Sequence, residues 1–137
     1  MRLLGKAQIV AAVAAAAIVF TGGAAMAASN HGISGTVYSP CSGQGPWFTS
    51  STQRQKSGTG AVKAEFATVN PGGLTFRILG QSNQQFGVQQ SWTQNETGIW
   101  RTFTSSLAGG TIFYNSFKQT SSSCGYHDYN FTGTEFY

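Results

Sequence analysis

Residues 60–79 read GAVKAEFATVNPGGLTFRIL, and this stretch decides the fold class. In its first half Val62, Ala64 and Phe66 alternate with Lys63 and Glu65; in its second half Leu74, Phe76 and Ile78 alternate with Thr75 and Arg77. Side chains two apart share one face of an extended chain, so each half buries one face and wets the other. Between the halves, Asn70-Pro71-Gly72-Gly73 combines four turn-forming residues and reads as a hairpin turn.

The same period of two continues outward in both directions. Phe86, Val88 and Trp92 line one side of the next run, and no stretch after residue 27 repeats apolar residues at helical spacing. Turn signals at Gly80-Gln81-Ser82-Asn83, Asn95-Glu96-Thr97-Gly98 and Gly109-Gly110 separate the runs. Strands are expected at 33–38, 60–69, 74–79, 87–93, 99–105, 111–119 and 127–136. The expected fold is therefore all-β, a small antiparallel β-sandwich of six or seven strands. The segment 39–59, rich in Ser, Gly, Gln and Thr around Pro46-Trp47-Phe48, reads as a long surface loop, and 120–125 as a second irregular segment.

Residues 1–27 have another character. Arg2 and Lys6 precede an apolar run at 9–20, and Ala25-Met26-Ala27 closes a small-residue stretch. That is the pattern of a secretory signal peptide, with an apolar part too short to span a bilayer comfortably. The expected division is a signal peptide at 1–27 and one β-sandwich domain at 28–137, about 110 residues and enough for a single core. A secreted, extracellular bacterial protein with no membrane span after cleavage follows as the expectation.

The composition of the 137-residue chain, with 18 Gly and 9% charged residues, excludes a coiled coil and an acidic disordered tail. Without 1–27, six basic residues (Arg54, Lys56, Lys63, Arg77, Arg101, Lys118) face four acidic ones (Glu65, Glu96, Asp128, Glu135), a net charge of +2 with His neutral. The basic residues are scattered, which argues against nucleic acid as a partner. Cys41 and Cys124 are the two cysteines, and in an oxidising compartment they are expected to form one disulfide. Closing a loop of about 80 residues, it would contribute about 4–5 kcal/mol in the chain-entropy model.

The inventory for catalysis is thin. His127-Asp128 is the sole adjacent His-acid pair, and neighbours on a strand point to opposite faces. No Gly-x-Ser-x-Gly elbow is present, the carboxylates fall on different segments, and no metal-ligand spacing appears. No enzyme, no cofactor and no metal site are expected. The aromatic residues are more informative. Trp92, Phe103, Phe113 and Phe117 fall on inward series and read as core, as does Trp100; Trp100→Ala or Phe113→Ala would then cost about 3–5 kcal/mol each. Phe131 is expected in the core with Tyr137 at its rim. Trp47 and Phe48 in a polar loop, with Tyr129 and Tyr137 on the last strand, are the candidate binding residues, since amphipathic rings stack on sugars or anchor protein interfaces.

The step Gly98-Ile99-Trp100, followed by Phe113-Tyr114-Asn115-Ser116-Phe117, resembles the lactococcin 972 family of secreted bacteriocins. Those are small β-sandwich proteins with a Gly-Val-Trp step and an aromatic Phe-Tyr-Tyr-x-Phe type ending. The resemblance spans some 20 residues, and the chain departs from it in its two cysteines, in the 20 residues after Phe117 and in lacking a His-rich first half. It implies export from a Gram-positive cell and binding of a wall precursor in competitors. The function read from the whole chain is a small secreted non-enzymatic binding or interaction protein, bacteriocin-like or part of an extracellular antagonistic assembly. Its expected partner is another secreted protein or a cell-wall component. A carbohydrate or cell-wall binding module and an inhibitor of an extracellular enzyme are the alternatives.

Overall fold

The computed structural model describes residues 28–122 and 128–137. Residues 1–27, where the signal peptide is expected, and residues 123–127, which include Cys124, lie outside the described residues. The described strands are β1 (Asn30–Tyr38), β2 (Phe48–Thr49), β3 (Arg54–Gln55), β4 (Gly60–Thr68), β5 (Leu74–Leu79), β6 (Gln85–Trp92), β7 (Arg101–Leu107), β8 (Ile112–Gln119) and β9 (Asp128–Phe136). There is no helix among the described residues. Two antiparallel sheets result, one in the order β1-β9-β4-β7 and the other in the order β2-β8-β5-β6 with β3 also on β8.

Alternation explains what lies between the sheets. Ile33, Val37, Val62, Ala64, Phe66, Phe103 and Phe131 from the first sheet meet Leu74, Phe76, Ile78, Trp92, Phe113 and Phe117 from the second, all buried. Phe66 is the hub: its ring lies 5.4 Å from Phe76, 4.7 Å edge-on from Trp92 and 5.6 Å edge-on from Phe131. Tilted and edge-on rings at these separations are the arrangement aromatic quadrupoles favour.

Four sequence expectations need correction. The turn at 70–73 forms, with the Gly73 N–H donating to the Asn70 carbonyl at 2.9 Å and Gly73 at φ +75°. It does not make a hairpin, because β4 pairs with β7 and β9 whereas β5 pairs with β6 and β8. The apolar faces of the two strands oppose each other across the core, so the turn carries the chain from one sheet to the other. The hairpin is β5–β6, closed where Gly80 N–H donates to Gln84 O at 2.8 Å, with Asn83 at φ 62°, a conformation Asn tolerates.

Trp100 is not core. It precedes β7, is 39% exposed, and the Lys63 ammonium lies 5.6 Å from its ring centroid. Trp92 is fully buried instead, its indole N–H donating to the Ile99 carbonyl at 2.8 Å. Val88 is the third correction. It falls where the β5–β6 register shifts between Phe76 and Ile78, and the irregularity turns it out to solvent. Next to it Gly87, at φ +67°, passes so near β7 that a Cβ would come within 1.9 Å of the Phe103 carbonyl oxygen. That contact, with Gln90 Nε2 donating to Thr102 O at 2.7 Å, closes the sandwich along the β6 and β7 edges.

The segment 39–59, expected as a surface loop, is the fourth correction: it contributes β2 and β3, so the described residues hold nine strands where six or seven are expected. Its two short strands both dock on β8, with Phe48 opposite Phe117 and Arg54 opposite Phe113.

Candidate functional site

On β8 the odd-numbered residues from Phe113 to Gln119 point into the core, so Tyr114, Ser116 and Lys118 stand on the outer face. Arg77, which pairs with Ser116 on β5, stands beside them. The β2 strand runs along this edge in the same alternation. Its Phe48 ring turns to the inner side, 5.1 Å from Phe117, and remains 56% exposed. Thr49 turns outward and donates from Oγ1 to Ser116 Oγ at 3.1 Å.

Trp47, one residue before β2, therefore falls on the outer face. The Arg77 guanidinium carbon lies 3.8 Å from its ring centroid and the Lys118 ammonium 4.8 Å. A ring this close to two cations is held by cation–π attraction as well as by contact area. Lys118 also donates to Gln44 Oε1, Arg77 Nε to Ser116 Oγ at 3.4 Å, and Gln53 Nε2 to the Tyr114 hydroxyl at 3.3 Å. The result is a half-buried tryptophan on a bed of two cations, bordered by amides and hydroxyls.

The other two candidate binding residues lie elsewhere. Tyr129, near the start of β9, and Tyr137, just past its end, are half-buried on the inner side and pack against the core. Tyr137 is stacked on His31 at 4.2 Å and edge-on to Phe113 at 5.2 Å. The structure thus places Trp47 and Phe48 on one sheet edge but does not bring Tyr129 and Tyr137 to that face.

A polar cluster that sequence reasoning missed lies between the sheets. Glu135 is fully buried, and its Oε2 accepts from Arg54 Nε at 2.8 Å and from Asn115 Nδ2 at 2.9 Å. Burial raises its carboxyl above the usual range, more than the Asn115 and Arg54 contacts lower it. Burial, followed by the Glu135 charge, also raises the Tyr137 hydroxyl. The signal for this cluster was parity. Asn115 stands between Phe113 and Phe117 on the inward series of β8, and Glu135 between Phe131 and Tyr137 on that of β9. The opposite case is Glu96, which is half-exposed at the surface and held below the usual range, first by the Thr93 backbone N–H and then by Arg101.

Ser29 and His31 approach to 2.8 Å, a nucleophile–base distance. Among the described residues no acid is bonded to the other ring nitrogen of His31, and the ring is committed to its stack on Tyr137. Among the described residues no three His, Cys, Asp or Glu side chains form a metal-binding group. A cavity of about 220 Å³ is lined by Gln55, Lys56, Ser57 and Gly110, none of which belongs to the Trp47 platform.

The fold and this platform define an all-β, two-sheet protein with a cationic aromatic surface on one face. No protein-family model and no curated protein matches the chain. Among solved structures it is similar to a chain in the structure of infectious bursal disease virus Gx strain, with a TM-score of 0.34 and 9% identity. The match covers 80% of this chain and 31% of the viral one, so the chain spans about a third of that protein's length. A likeness this loose carries no functional argument.

Proposed function

We propose that this chain is a small exported, non-enzymatic binding protein whose contact surface is the outer face of the second sheet around Trp47. One observation carries the reading. Trp47 is held over Arg77 and Lys118 by residues whose other contacts are also made, which gives a rigid ring at low ordering cost. Export rests on the signal-peptide pattern of 1–27. The bacteriocin-like version and the wall-binding version share this surface. Of the stretch that carries part of the lactococcin 972 resemblance, Phe113, Asn115 and Phe117 are buried and face the core, while Tyr114 and Ser116 stand on the outer face at the border of the Trp47 platform.

In the test, the mature protein (28–137) is incubated with isolated bacterial cell walls and with culture supernatant. Retention on walls that Trp47→Ala abolishes, with no change in thermal midpoint, is the expected result. Retention unchanged by Trp47→Ala would move the contact surface elsewhere. Capture of a single secreted protein in place of wall would favour the inhibitor reading.

The proposal includes one disulfide between Cys41 and Cys124. Cys41 sits in the bend after β1, and no free cysteine occurs among the described residues. Protein purified without reductant is expected to be two hydrogens lighter by mass spectrometry than its reduced form. Two alkylatable thiols would refute the bridge.

A further inference from the structure

We propose that the Trp47 platform binds an acidic polysaccharide, one whose sugar rings carry carboxylates, with Arg77 and Lys118 taking the charge and Trp47 the sugar face. This rests on the binding-protein reading above and names its ligand class.

The two other arginines outside residues 1–27 each meet a carboxylate. Arg54 is paired with Glu135 at 2.8 Å and Arg101 with Glu96 at 2.6 Å. Among the described residues Lys56, Lys63, Arg77 and Lys118 have no carboxylate within ion-pair distance; of these, Arg77 and Lys118 are the two that share one ring, that of Trp47, and their polar contacts are the Ser116 hydroxyl and the Gln44 amide oxygen. Two neighbouring unpaired cations repel each other, and an anion between them relieves that repulsion. Nothing in the local sequence separates them, since they are brought together by the Thr75–Lys118 and Arg77–Ser116 pairings of β5 with β8.

The shape of the donors selects among anions. The Arg77 guanidinium is stacked on Trp47 and its Nε is turned to Ser116, which leaves the terminal pair of nitrogens at its edge. That edge is a flat two-pronged donor, matched by a planar carboxylate. Trp47 is half-buried, so part of it stays accessible, and an indole ring suits the C–H face of a sugar. Gln44 and Gln53 are exposed at the border and supply amides for hydroxyl groups. The net charge of +2 outside residues 1–27 adds attraction over the whole molecule without making it generally basic.

The experiment measures binding of the mature protein to polygalacturonate and to the same polymer with its carboxyls methyl-esterified. Binding to the acidic form that weakens with added salt, with little binding to the ester, is expected. Lys118→Gln, which leaves Trp47 on Arg77, should weaken it about fivefold, and Arg77→Gln by at least as much. Lys63→Gln removes the same charge from the outer face of the other sheet and should leave affinity unchanged. If Lys63→Gln weakens binding as much as Lys118→Gln, the attraction is unspecific and the site is refuted. Equal binding to acid and ester, or to neither while Trp47-dependent wall retention persists, overturns the acidic ligand and spares the binding-protein reading. Loss of every Trp47-dependent interaction overturns both.

Discussion

Replacing Trp92 by alanine is expected to lower the unfolding free energy by about 3–5 kcal/mol, while Trp100→Ala is expected to cost about 1 kcal/mol or less. Both residues are tryptophans near the same turn, and the difference lies in what surrounds them. Trp92 is fully buried, edge-on to Phe66 at 4.7 Å and 6.2 Å from Phe103, so truncation opens a cavity among rings that cannot collapse into it. It also deprives the Ile99 carbonyl of its indole donor. Trp100 is 39% exposed, with the Lys63 ammonium 5.6 Å from its ring centroid. Urea denaturation at fixed pH measures both changes. Equal losses for the two variants would mean that Trp100 packs inside and that the placement of the β6–β7 crossing is wrong.

The contrast between these tryptophans shows which parts of the fold can be read from the chain. Alternation in 60–79 correctly placed Val62, Ala64, Phe66, Leu74, Phe76 and Ile78 inside, because a strand's faces depend on its own residues. It could not show that β4 and β5 lie in different sheets, since a turn that connects two strands across a core uses the same residues as one that pairs them. Reading Trp100 as core follows its size alone: it stands three residues from the inward Phe103, which is outward parity, and β7 begins only at Arg101. The same limit applies to the site. Trp47 stood out as an aromatic in a polar segment, but its partners Arg77 and Lys118 are set by the pairing of strands distant in sequence. Glu135 and Asn115 sat on inward series and were passed over because a polar residue there needs a partner, and Arg54 comes from a stretch that looked like loop.

Glu135→Ala is expected to destabilise the domain by about 3–5 kcal/mol, because removing one member of a buried pair strands the other. Arg54 and Asn115 would both keep buried donors with no acceptor in Glu135 Oε2. Glu135→Gln should behave differently, since its amide oxygen still accepts from both donors and no carboxylate charge is buried, although the Arg54 charge remains. Two acceptors in the cluster, Glu135 Oε1 and Asn115 Oδ1, have no hydrogen-bond partner among the described residues, and an amide N–H or a carboxyl proton at Glu135 adds a donor to the cluster. The pH dependence follows from the sign of the shift. Burial raises the folded-state value, so the folded protein holds this proton at a pH where the unfolded chain, near 4.5, has lost it. The stability gained from that proton is fully present below about 4.5 and is lost as pH rises through the raised value. Glu96 acts in the opposite sense and in another window: its contribution is present above its ordinary value and disappears as pH falls through its lowered one. Between 4.5 and neutrality the wild-type urea midpoint should therefore fall with rising pH, and in Glu135→Gln that slope should flatten. A Glu135→Gln variant with the same slope as wild type would show that Glu135 stays ionised beside Arg54 throughout, and that the cluster is an ordinary buried ion pair.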